Sequence, residues 1–127
     1  MALFGWAAKL FGEPIDLNPR LLRDFPELGS ARYRRGGAPP HVGGWCLGAR
    51  SVAAIALGRT VWIAREADLR PDLLLHEHAH VEQWRTVPWF AVRYVWESVR
   101  RGYVNNRFEI AARQAADARL QASERSR

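Results

Sequence analysis

Leu73-Leu74-Leu75-His76-Glu77-His78-Ala79-His80-Val81-Glu82-Gln83-Trp84 gathers three of the four histidines of a 127-residue chain into five positions. Pro71 and Asp72 open a helical pattern that runs through Leu75, Val81 and Trp84 and should end before Pro88; a proline suits the first turn, where its missing N–H has no intrahelical partner. Inside that helix stands His-Glu-x-x-His. At about 100° per residue, His76 and His80 lie about 40° apart and one turn along, so both imidazoles can reach one cation from one side. Glu77 lies about 100° from His76 and about 60° from His80, which lets its carboxylate reach a water on that cation without displacing a histidine. A Zn²⁺ ion lowers the pKa of its water toward about 7, and a neighbouring carboxylate can take the proton as a carbonyl carbon is attacked. The chemistry expected is hydrolysis of a peptide or related acyl bond. Random placement of four His and eight Glu in 127 positions produces this spacing with a probability on the order of 1%. A polar surface helix is therefore the poorer account, and Leu73 to Leu75 require one buried side. His78 points off the metal-facing side and takes no ligand role.

Outward from this helix, Ser51 to Leu57 and Thr60 to Ala64 are apolar, β-branched runs separated by Gly58-Arg59, which predicts a β-hairpin with a type II′ turn. Downstream, Pro88 starts a second helix in which Val92, Val95, Trp96 and Val99 fall at i, i+3, i+4 and i+7, closing at Gly102. Trp84, Trp89, Trp96, Phe90 and Tyr94 read as a core-forming aromatic cluster. Asn105 or Asn106 caps a last helix through Ala111, Ala115, Ala118 and Leu120, with fraying expected from Ser123. Upstream, Leu3, Phe4, Ala7, Leu10 and Phe11 predict a short packing helix before Gly12, with a turn of helix at Pro19 to Asp24 and an indistinct pattern between. Residues 29–50, with six glycines and Pro39-Pro40, read as a long loop able to border a site. The expectation is a single α+β domain over 1–127: an N-terminal helix and Gly/Pro-rich segment over 1–50, then a metal-binding core over 51–122 with one small sheet and three or four helices.

These residues resemble the zincin metallopeptidases, and within them the gluzincins, whose third ligand is a glutamate on a following helix. The resemblance covers about residues 51–117: the hairpin, Leu73 to Trp84, Gly102-Tyr103, and Asn106-Arg107-Phe108-Glu109-Ile110-Ala111-Ala112-Arg113, a set similar to small bacterial zincin-like proteins. It implies a minimal zincin-like fold, zinc on His76, His80 and Glu109, and Glu77 as general base. Glu109 has a second reading, because behind an Asn106 cap it stands where a capping-box carboxylate would. Glu82 lies on a different helix face from His80, and Glu97 would have to come from the intervening helix. Better-known gluzincins carry an aspartate four residues after the glutamate to orient a histidine; Arg113 stands there, with Asp117 a substitute only if it faces inward. Tyr103 is the nearest candidate donor to the oxyanion of the tetrahedral intermediate, against a plain packing role. His41 reads as an exposed loop histidine and Cys46 as a small buried hydrophobe. A peptide substrate would pair with an edge strand of the hairpin.

Composition limits the alternatives. A lone cysteine excludes a disulfide scaffold and points to a reducing, cytoplasmic setting. No run approaches the roughly 20 apolar residues of a membrane span, and no signal peptide is expected. Nineteen Lys and Arg against thirteen Asp and Glu give a net charge of +6; the arginines are scattered, so a solvated basic surface is the plain reading and no firm nucleic-acid signal emerges. Two rivals to a peptidase acting on a peptide, or on a single regulator protein, stay open. One is a zinc-binding interaction module without turnover. The other is a basic nucleic-acid or membrane-surface protein, with residues 1–11 offering weak peripheral membrane contact.

Overall fold

Gly58 reverses the chain with φ +64° while Arg59 keeps an ordinary φ, the combination a type II′ turn needs. The expected hairpin therefore forms as β3 (Ala54–Leu57) and β4 (Thr60–Ile63), with Leu57 opposite Thr60. The computed structural model describes residues 2–41 and 53–127, so Cys46 and the start of the hairpin's first run lie outside the described residues.

Two further strands occupy segments that the sequence left indistinct or read as loop. β1 (Glu13–Ile15) and β2 (Arg32–Arg35) extend the sheet to the order β1-β2-β4-β3, with β2 parallel to β4 and the other pairs antiparallel. Arg32-Tyr33-Arg34-Arg35 lacks the apolar signature of a strand because its side chains fasten other parts of the chain. Tyr33 turns inward and donates its hydroxyl to the Leu28 carbonyl at 2.7 Å. The Arg34 guanidinium donates to the carbonyls of Phe11 and Gly12 at 2.7 and 3.0 Å, and that of Arg35 to Ala64, Arg65 and Ala67 at 2.9–3.2 Å. Part of the arginine excess is thus structural rather than a solvated surface. Pro14 is tolerated in β1 because that strand lies at the sheet edge.

Helix α1 (Ala2–Phe11) precedes β1, and α2 (Pro19–Asp24), capped by Asn18, leads through a 3₁₀ turn (Pro26–Ser30) into β2. α3 (Pro71–Thr86) carries the histidine motif, starts on Pro71 as expected and lies against one face of the sheet. Leu74, Leu75 and Val81 from α3 meet Val61 and Ile63 from β4, with Leu28 and Phe25 closing the core. α5 (Arg107–Arg125) packs along α3 through Phe108, Ala112 and Ala116, not through Ala111, Ala115 and Ala118, and it runs past Ser123 instead of fraying there. The observed class is α+β.

α4 (Phe90–Arg101) overturns an expectation. Trp89 sits in the left-handed region at φ +57°, so the helix begins at Phe90 rather than Pro88. The face presented to the protein carries Phe90 and Glu97, whereas Val92, Val95, Trp96 and Val99 point outward, and Trp89 is 80% exposed. Phe90 and Tyr94 do pack with Trp84 and Phe108, but Trp89 and Trp96 stand outside that cluster. Polar ties decide this orientation: Asn106 Nδ2 donates to the Tyr94 carbonyl at 3.1 Å and to Ser98 Oγ at 2.9 Å, and buried Glu97 meets the guanidinium groups of Arg101 and Arg107, each at 3.6 Å.

Leu74, fully buried, and Val99, 76% exposed, should respond oppositely to truncation. Leu74→Ala is expected to lower the unfolding free energy in urea by about 2–5 kcal/mol, and Val99→Ala to change it by no more than about 0.5 kcal/mol.

Candidate metal centre

One turn of α3 separates His76 from His80, and their rings converge as the spacing requires, with Nε2 atoms 3.2 Å apart. The first turn of α5 brings Glu109 across both: Oε2 lies 3.0 Å from His76 Nε2 and Oε1 3.0 Å from His80 Nε2. Asn106 caps α5 by accepting from the Phe108 amide at 2.8 Å, but its own amide donates to Tyr103 O, so Glu109 completes no capping box. The carboxylate serves the histidines instead.

Three side chains that could hold a metal ion, His76, His80 and Glu109, each offer a donor atom within 4.8 Å of the others. Tetrahedral coordination with bonds of about 2.0–2.1 Å sets donors about 3.3 Å apart, close to the 3.0–3.2 Å found here. Proton placement supports the same fit. Gln83 Nε2 donates to the Phe108 carbonyl at 3.0 Å, which turns its Oε1 to His80 Nδ1 at 2.8 Å. An amide oxygen only accepts, so Nδ1 carries the proton and the neutral ring directs the lone pair of Nε2 at Glu109 and His76. Acceptors facing one another need a proton or a cation between them. Burial pushes the His80 imidazole down, but its bond to Glu109 and the carboxylates of Glu77 and Glu109 outweigh that and raise its pKa overall.

Glu109 balances the same forces in reverse: burial pushes its carboxyl up, while its bonds to His76, His80 and Tyr94 hold it well below the ordinary range. The Tyr94 hydroxyl donates to Glu109 Oε1 at 2.6 Å. Glu77 is buried beside the centre. Burial raises its pKa, His80 and His76 lower it, Glu109 raises it and the Ala56 amide lowers it, and the balance stays above the ordinary value. Tyr103 reaches the cleft wall with its phenol pushed up to about 12 by burial and by Glu109 and Glu77, so it is a neutral donor near pH 7.

The remaining candidates fall outside the centre. His78 faces Glu82 at 4.0 Å, Glu82 pairs with Arg85, and Glu97 is taken by Arg101 and Arg107. His41 is exposed, as expected. Asp117 is exposed and orients no histidine; Arg113 donates to the Val104 carbonyl at 2.6 Å and braces the turn into α5. Gln83 and Tyr94 do the orienting and were missed. Gln83 left a trace in the sequence, a polar residue three positions beyond His80, whereas nothing in the sequence sets Tyr94 against Glu109.

No family model, curated protein or solved structure matches the chain. The centre therefore rests on its own geometry.

Gln83→Leu frees the His80 ring and should weaken zinc affinity by about 10–100-fold in a chelator competition titration, while Asp117→Asn leaves it unchanged. In the wild type that affinity should fall as pH drops through the raised His80 pKa, because the proton on Nε2 must leave before a cation binds.

Proposed function

We propose that this chain is a zinc-dependent metallopeptidase with a minimal zincin-like, gluzincin-type core. The observation that carries the reading is the convergence of His76, His80 and Glu109, with buried Glu77, His80 and Glu109 lining one cleft. A bound zinc ion would supply Lewis acidity, polarising a scissile carbonyl and acidifying water. Glu77 has the raised pKa suited to accepting a proton from water and returning it to the leaving amine. Tyr103, kept neutral, can donate to the developing oxyanion. Tyr94 and Gln83 hold Glu109 and His80 in place.

Substrate selection follows from the cleft, about 620 Å³, whose walls are mainly apolar and include Leu57, Trp84, Phe90 and Val95. Apolar side chains next to the scissile bond are expected. Among the described residues β3 has a neighbour on one side only, so it offers an edge for an extended peptide. The Ala64 amide donates to Ala53 O, and antiparallel alternation then turns the polar groups of Ile55 toward β4 and those of Ala56 outward. Trp84 Nε1 already donates to Ala56 O at 3.0 Å. A substrate must displace that indole or bind beyond it, which favours few subsites and a narrow range, down to a single protein. The same contact favours the second reading, a zinc-binding module without turnover.

Metal content and turnover separate the two. Wild-type chain should carry about one zinc, and Glu109→Ala and His80→Ala much less. Glu77→Gln should keep the metal and lose about 10²–10⁴-fold in cleavage of an apolar peptide library. Equal inactivity of wild type and Glu77→Gln, both zinc-loaded, would leave the non-catalytic module.

A further inference from the structure

α4 is amphipathic in the sense opposite to a core helix. With Phe90 at zero and about 100° per residue, Tyr94 and Glu97 stay within about 40° of the inward direction. Ala91, Val95, Val99, Val92 and Trp96 fill the arc from about 100° to about 240°, and Arg100 and Arg93 follow at about 280° and 300°. Val92, Val95, Trp96 and Val99 are all more than half exposed. Surface helices of globular proteins turn such a stripe to the core, and a contiguous exposed one marks an interaction surface.

The strip has a counterpart across the cleft. Leu10 and Phe11 of α1 line the same opening as Ala91 and Val95 of α4, and Trp6, Leu10 and Phe11 are about half exposed. Two apolar helices therefore flank one mouth. Between them α1 and α4 contain one carboxylate, Glu97, which is buried against Arg101 and Arg107. Their other charges are all positive: Lys9, Arg93, Arg100 and Arg101.

We propose that α1 and α4 form a peripheral docking surface for an anionic lipid bilayer, with the cleft mouth opening onto it. Apolar side chains would enter the acyl boundary, Trp6, Trp89 and Trp96 would sit at the headgroup level that indoles favour, and Arg93 and Arg100 would meet lipid phosphates. No helix among the described residues is long and apolar enough to cross a membrane, so the contact is interfacial. A second copy of the chain is a poorer occupant, because a two-fold pairing of strip on strip brings these arginines against like charge. Docking is independent of the metal reading and should persist in Glu77→Gln.

Flotation of the full chain with phosphatidylcholine vesicles containing about 30% phosphatidylglycerol, against pure phosphatidylcholine, tests this. The wild type should float with the anionic vesicles and much less with the neutral ones, with a blue shift of tryptophan emission. Val92→Asp with Val99→Asp, both at exposed positions, should lower binding at least about tenfold with unchanged far-ultraviolet circular dichroism. Arg93→Ala with Arg100→Ala should weaken it about fivefold per arginine. The proposal fails if the wild type does not float with anionic vesicles, or if both double variants float as it does. It fails equally if the chain is a dimer that Val92→Asp with Val99→Asp dissolves and no vesicle binds.

Discussion

A buried carboxylate held between two imidazoles organises this molecule. Glu109 receives His76 and His80 from α3 and the Tyr94 hydroxyl from α4 while it stands on the first turn of α5, so three helices meet at one charge. A buried carboxylate stays ionised only where its partners offset the loss of water. Every buried side-chain polar atom among the described residues has a polar partner within hydrogen-bond reach, and the cluster closes as a network once a proton or cation lies between its acceptors. Breaking one member of such a buried charged group commonly costs about 3–5 kcal/mol. That tension gives the centre its chemistry: donors close enough to need a cation or a proton between them.

The same polar logic explains α4. Its apolar stripe would point inward if burial of apolar area alone set the helix rotation. Asn106 instead grips the Tyr94 carbonyl and Ser98 hydroxyl, and Arg101 and Arg107 hold Glu97 beneath the helix. Turning the stripe inward would carry the Tyr94 hydroxyl away from Glu109 and the Ser98 hydroxyl away from Asn106, leaving buried polar groups without those partners. The fold thus places an apolar rim beside the cleft and supports it with charge. Trp84 works from the other side, tying β3 to α3 at Ala56 and narrowing the cleft there.

What was legible in the sequence is local. His76, Glu77 and His80 depend on one helix period; Pro71, Gly58 and Gly102 mark boundaries through backbone geometry that belongs to those residues alone; and all of them stand where their spacing puts them. Glu109 came from resemblance rather than from any pattern in the chain, and the structure brings it to the histidines. β2 escaped because Arg34 and Arg35 spend their side chains on distant carbonyls, so the strand reads as a charged loop, and β1 because three residues with Pro14 at their centre carry no alternation.

The sequence by itself determined the helix that carries the paired imidazoles, the hairpin turn and the α+β class, because periodicity and turn chemistry act over a few residues. Only the tertiary structure decided that Gln83 and Tyr94 orient the ligands, that Arg113 and Asp117 do not, and which way α4 faces. Those outcomes depend on which polar groups of separate elements find one another, as Tyr94 finds Glu109 and Gln83 finds the Phe108 carbonyl, and no local pattern encodes that pairing.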